Sequence, residues 1–242
     1  MTSITAPGFG LLPPIRILQT DRAALIEFVE QKDLTAFLSL ARRLANDHDL
    51  LNSDRHVTIA EVLRVPRGRQ SRTFVHLLMH SWTSRARPFL DAVLAEFVTP
   101  ADQYALIDIF STPDAMGYTV PAVAADLDIV EMIEIMQRRG MSLGMRNKGN
   151  LSPVHIALGR GHYAAIKAFA EAGVSVNLQN DLGETPLHWA VGMGDIQRVD
   201  VLLQYGAEPS LRIRSRLGLT PVDMAERSGD GEMQAVLENV RS

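Results

Sequence analysis

Seven histidines, 24 basic side chains and no cysteine set the chemistry open to this 242-residue chain. His76 and His80 lie four apart, so on a helix they would share one face at a spacing that suits two metal ligands. No third ligand accompanies them, and no metal is expected. Without cysteine, thiolate nucleophiles, disulfides and Cys-based zinc sites are excluded. Arg64, Arg67, Arg69 and Arg72 fall in a loop held by Pro66 and Gly68, a pattern able to grip phosphate or an acidic partner. The net charge is −4 and no aromatic residues interleave with the run, so nucleic acid is not the expected partner. The C-terminal half offers no paired catalytic carboxylates, Gly-rich phosphate loop or nucleophile elbow. The chain is therefore expected to be no enzyme, with no cofactor and no small-molecule substrate.

The remaining chemistry-bearing residues sit in a recurring frame. Thr185-Pro186-Leu187-His188-Trp189-Ala190 opens with an N-cap hydroxyl and a proline at the first helical position, where a missing N–H costs nothing. Leu187, Ala190 and Val191 make one apolar face; Gly194-Asp195 breaks the helix and restarts it through Ile196, Val199, Leu202 and Leu203, and Gly206 closes the second helix. Such a hairpin cannot bury its apolar face alone. Thirty-three residues earlier stands Ser152-Pro153-Val154-His155-Ile156-Ala157, and thirty-three before that Thr119-Val120-Pro121-Ala122-Val123-Ala124; Thr220-Pro221-Val222-Asp223-Met224-Ala225 follows at thirty-five.

This period, with its Thr-Pro-Leu-His start and Gly-Asp or Gly-His break, resembles the ankyrin-repeat family over roughly residues 114–242. The departures are Val120 for the proline, Ala122 and Asp223 for the histidine, Asp128 for a glycine of the break, and a last copy expected to lack a full second helix. The resemblance implies an all-α ankyrin-repeat solenoid of stacked helix pairs with short hairpin fingers and a helical N-terminal cap. In it, His155 and His188 tie neighbouring repeats together by side chain to backbone hydrogen bonds, Asn147 and Asn180 organise the hairpin turns, and His162 caps or contacts the next repeat. The family binds proteins through a concave groove of fingertips and inner helices. The positions carried over are Met116, Tyr118 and Leu127; Lys148, Leu151 and Arg160; Asp181, Leu182, Glu184, Trp189 and Met193; and Arg227 with the fourth finger, where Leu217 and Leu219 are also apolar. Trp189 is expected to serve packing between repeats more than binding. An apolar stripe with a charged rim is what a protein interface looks like.

The two extra residues before the fourth copy fall within Leu211-Arg212-Ile213-Arg214-Ser215-Arg216. In an extended finger, alternation would put Arg212, Arg214 and Arg216 on one side for an acidic partner. Upstream, residues 1–20 are punctuated by Pro7, Gly8, Gly10, Pro13 and Pro14 and are expected to form an extended arm. Residues 21–113 carry helix pairs with degenerate ankyrin-like patterning: Asp21 before Ala24, Leu25 and Phe28; Leu34, Phe37, Leu38, Ala41 and Leu44; and Thr73-Phe74-Val75-His76 answered by Phe89, Leu90, Val93 and Leu94. Residues 98–113 are read as a connection. The expected repeats are 114–146, 147–179, 180–214 and a C-terminal cap at 215–242. No stretch is apolar enough to span a membrane, no signal-peptide pattern is present, and a cytoplasmic location is expected. Twenty-one arginines against three lysines suggest a GC-rich coding genome and so a bacterium. The expected function is a non-enzymatic protein-binding module, such as a bacterial immunity or adaptor protein. The alternative is a secreted effector with an activity in residues 1–113.

Overall fold

The computed structural model describes residues 23–25, 27–28, 31, 33–46, 73–80, 82, 86–95 and 100–241. The arm at 1–20, the cap at Asp21, the stretch 47–65 and the arginine loop with Arg64, Arg67, Arg69 and Arg72 lie outside those residues. Among the described residues every regular element is helical. Helices α1 (Leu34–Asn46), α2 (Phe74–His80), α3 (Ala86–Ala95) and α4 (Pro100–Ser111) precede four hairpins. These are α5 with α6 (Val120–Asp126, Val130–Arg138), α7 with α8 (Pro153–Arg160, Tyr163–Glu171), α9 with α10 (Pro186–Gly192, Ile196–Gln204), and α11 with α12 (Pro221–Ser228, Gly231–Arg241).

Short inner helices stack in the order α2, α5, α7, α9, α11, each against the next, and α6, α8 and α10 form an outer column beside them. The apolar positions face inward between the columns: Val154, Ala157 and Leu158 from α7, Ala165, Ile166 and Phe169 from α8, Leu187 and Ala190 from α9, Val199 and Leu202 from α10, all buried. A single hairpin leaves one such face bare, so burial is completed only by the neighbouring unit. The stack continues N-terminally without a change of principle. Phe37 of α1 meets Phe74 of α2 and Phe89 of α3 at ring-centroid distances of 6.1 and 5.2 Å.

Three sequence expectations need correction. Residues 98–113 are not a plain connection, because α4 occupies Pro100–Ser111 and buries Leu106, Ile109 and Phe110 at helical spacing, packing on α5. The fourth copy does have a full second helix: α12 runs eleven residues, Asp230 accepts from the Met233 N–H at 3.0 Å, and Met233 and Leu237 are buried four apart. The two extra residues of the long spacing do not lengthen the fourth fingertip. They are absorbed at its base as a 3-10 helix, Glu208–Arg212, while the tip keeps the hydrogen bonds of its neighbour: Ser215 N–H to Leu219 O and Gly218 N–H to Ser215 O, matching Asn180 N–H to Glu184 O and Gly183 N–H to Asn180 O.

Candidate binding surface

Three of the described histidines, His76, His155 and His188, are taken up by the scaffold. In α7 the N–H of the N-cap Ser152 donates to His155 Nδ1 at 3.3 Å, and the His155 Nε2 lies 3.1 Å from the Glu184 carbonyl of the next repeat. A backbone N–H can only donate, so Nδ1 is the acceptor and Nε2 carries the proton. His188 repeats the arrangement with Thr185 N–H at 3.1 Å and the Leu219 carbonyl at 3.1 Å. His76 does so again with Thr73 and the Tyr118 carbonyl, which removes it as a metal ligand beside His80. Burial drives the His155 pKa down to about 4, against the pull of its bond to the Glu184 carbonyl and with help from the positive Arg146; His188 is lowered too, again by burial first.

Where the motif histidine is missing, the structure shows what it was for. Ala122 leaves the buried Thr119 Oγ1 without a hydrogen-bond partner. Asp223 accepts from the Thr220 N–H at 2.9 Å but has no donor with which to reach onward, and its carboxylate turns back to Arg214 at 3.1 Å. His162 corrects another expectation: its Nδ1 meets the Ala125 carbonyl, in the preceding repeat rather than the following one, at 3.0 Å. Asp128, at the helix break, holds φ +55° and accepts from the Ala165 N–H at 3.0 Å.

The fingertips are turned by one device. Asp114, Asn147 and Asn180 each accept two backbone N–H groups, from Met116 and Tyr118, Gly149 and Leu151, and Leu182 and Glu184, at 2.8 to 3.0 Å. The thirty-three-residue register aligns Asp114 with the two asparagines, and that spacing is the signal by which the sequence marks it. Neighbouring tips then rest on one another. Arg216 N–H donates to Leu182 O at 2.8 Å, so close that a Cβ on Gly183, at φ +71°, would stand 3.0 Å from that nitrogen. The Lys148 stem crosses Gly117 and its Nζ donates to the Ala115 carbonyl at 3.2 Å.

This tip-to-tip packing leaves specific apolar side chains outside. Of the large hydrophobic residues exposed among the described residues, Met116 (66%), Leu182 (57%) and Leu217 (81%) cap three fingertips, and Leu127 and Met193 stand at the far ends of α5 and α9. Ile107 and Val240 are exposed elsewhere. Tyr118 and Leu151 are half-buried and pack on the core, so they support the surface more than they present it. Trp189 is also half-buried. Its Nε1–H donates to Glu184 Oε2 at 2.8 Å, its ring meets His155 edgewise at 5.4 Å between centroids, and it lies against Gly159 of the preceding helix. Arg160 pairs with Asp126 at 2.7 Å, Asp181 and Arg227 are exposed, and the Met193 sulfur accepts from Arg198 at 3.2 Å.

A family model described as ankyrin repeats, three copies, matches residues 109–213. Residues 109–213 are ankyrin repeats. No curated protein matches it. The match ends just before the fourth ankyrin hairpin, where α11 still opens with the Thr220 capping box and Pro221. No described helix of this ankyrin-repeat chain is long and apolar enough to cross a membrane.

The fourth finger departs from the expected row of three free arginines. Side-chain alternation holds, with Leu211 and Ser215 buried and Arg212, Arg214 and Arg216 exposed, but Arg214 is spent inside the chain on Asp223 and the Gly218 carbonyl. Arg212, Arg216 and Arg227 are exposed at this end.

Proposed function

We propose that the chain is a non-enzymatic module that binds another protein across its fingertips and inner-helix ends. The observation that carries this reading is the placement of exposed large apolar side chains: five of seven among the described residues fall on that one face, in register with the repeats. Interfaces combine such a desolvated centre with a charged rim, and here Arg212, Arg216 and Arg227 at one end suit an acidic element of the partner. The motif histidines support a scaffold role, since His76, His155 and His188 all have both ring nitrogens engaged and none is free for catalysis. The described helices α2 to α4 continue the same packing up to α5, which favours a binding array over an effector with a separate catalytic domain. Within this class we place the chain as a cytoplasmic immunity or adaptor protein of a bacterium, acting by occupying or delivering its partner.

The test uses the full chain as bait in extracts of the cell that makes it, beside a variant carrying Leu182→Glu, Met193→Glu and Leu217→Glu. These side chains are exposed, so helical content is expected to hold. A partner retained by the parent and weakened by about tenfold or more in the variant supports the proposal. A partner retained equally by both places recognition elsewhere.

A further inference from the structure

The thioethers of the described residues are sorted by place. Met79, Met132, Met136, Met141 and Met233 are buried, and Met145 and Met224 are half-buried. Met116 and Met193 are 66% and 47% exposed, and both stand on the binding face, one at a fingertip and one at the end of α9. Packing does not call for sulfur at either place. Met116 lies two thirty-three-residue periods before Leu182, and Met193 two periods after Leu127, so each thioether holds a position that an exposed leucine fills in another repeat. The two side chains differ in chemistry: leucine is inert to peroxides, whereas a thioether sulfur is a two-electron reductant whose oxidation turns an apolar side chain into a polar sulfoxide. Met193 adds a local feature. Its sulfur accepts an Arg198 N–H at 3.2 Å, and that half-buried guanidinium is held in turn by Asp195 at 3.0 Å. Thioether sulfur is a weak acceptor and a sulfoxide oxygen a strong one, so the cation already in place would hold the oxidised side chain better than the reduced one.

We infer that Met116 and Met193 are an oxidation site for hydrogen peroxide that switches the binding face from apolar to polar with the fold intact. A sulfur lone pair attacks one peroxide oxygen, an S–O bond forms as the O–O bond breaks, and the departing oxygen leaves as water with both peroxide protons; sulfur gives up two electrons and the peroxide takes them. The reverse step draws two electrons from a dithiol through the A- and B-type methionine sulfoxide reductases, one for each epimer, and the oxygen again leaves as water. The fold is spared because both side chains stand outside the packed columns and Arg198 keeps its tie to Asp195. The inference rests on the reading of this face as protein-binding and names its regulation: two of the five exposed apolar side chains of the face become polar, and the partner is released.

The test treats the full chain with hydrogen peroxide and follows each methionine by peptide mass spectrometry. Met116 and Met193 are expected to gain one oxygen each at least about tenfold faster than the buried Met132 and Met136. Chain oxidised at these two positions is expected to leave a phenyl column earlier in a falling ammonium sulfate gradient, to keep its thermal midpoint, and to regain its retention after both reductases with dithiothreitol. A variant carrying Met116→Leu and Met193→Leu is expected to keep its own retention through the same treatment. Oxidation spread evenly over the methionines overturns the inference, as does a retention that falls equally in the double variant or a thermal midpoint lost with the first two oxygens. For a partner captured by the parent chain, peroxide is expected to weaken binding by about tenfold or more in the parent and to leave it unchanged in the double variant, each protein being compared with itself before treatment. A partner held fully by the oxidised parent yet lost by the Leu182, Met193 and Leu217 variant overturns the switch and leaves the protein-binding reading standing.

Discussion

Acid should loosen this ankyrin stack through His155 before it reaches the ordinary carboxylates. The imidazole accepts from Ser152 at Nδ1 and donates to Glu184 at Nε2, so a proton added at Nδ1 removes the acceptor and charges a fully buried ring. Its pKa is about 4 when folded against 6.5 in the open chain. A histidine lowered by folding contributes stability that is complete above pH of about 6.5 and is lost as pH falls towards 4, levelling off below that. Between pH 7 and pH 5 the linkage relation assigns this one site a loss of about 2 kcal/mol. Urea unfolding of the parent and of His155→Gln at the two pH values measures it, because groups common to both proteins cancel in the difference. The pH-dependent loss is expected to be about 2 kcal/mol smaller in the variant. Equal losses in the two proteins, or a native His155 that titrates near 6.5 by NMR, would refute the argument. His188 is depressed in the same direction and should keep a residual slope in the variant.

Two further outcomes follow from local hydrogen bonding. Thr119→Val removes a buried hydroxyl that has no partner, and should raise unfolding free energy by up to about 1 kcal/mol, whereas Thr185→Val breaks the pairing with His188 and should lower it by about 1–2 kcal/mol; urea titrations that move both variants the same way would contradict this. Asp128→Ala should cost about 1–2 kcal/mol, because alanine at φ +55° lacks both the local tolerance of aspartate and its bond to Ala165, and Asp128→Gly should lose less because the backbone term is relieved; amide exchange at Ala165 should accelerate in both.

What could be read along the chain was whatever repeats with it. The thirty-three-residue period, the Thr-Pro and Ser-Pro starts and the Gly-Asp breaks located α5 to α11, because caps and helical periodicity depend on residues within a turn or two of one another. His155, His188, Asn147 and Asn180 had legible roles for the same reason: each satisfies a backbone group at a fixed offset in the repeat. The exposed apolar tips Met116, Leu182 and Leu217 were legible as well, since their register placed them beyond the packed faces.

Tertiary structure decided whatever depends on which neighbour a side chain meets. Arg214 looks free in the chain and is paired nine residues on, with Asp223; His162 reaches back across a repeat to Ala125; and α4 becomes a helix because α5 offers its apolar residues a surface. The two inserted residues before the fourth copy could extend a finger or thicken its base at little difference in local energy. Ser210 Oγ donating to Asn177 of the previous finger, at 2.5 Å, anchors the base.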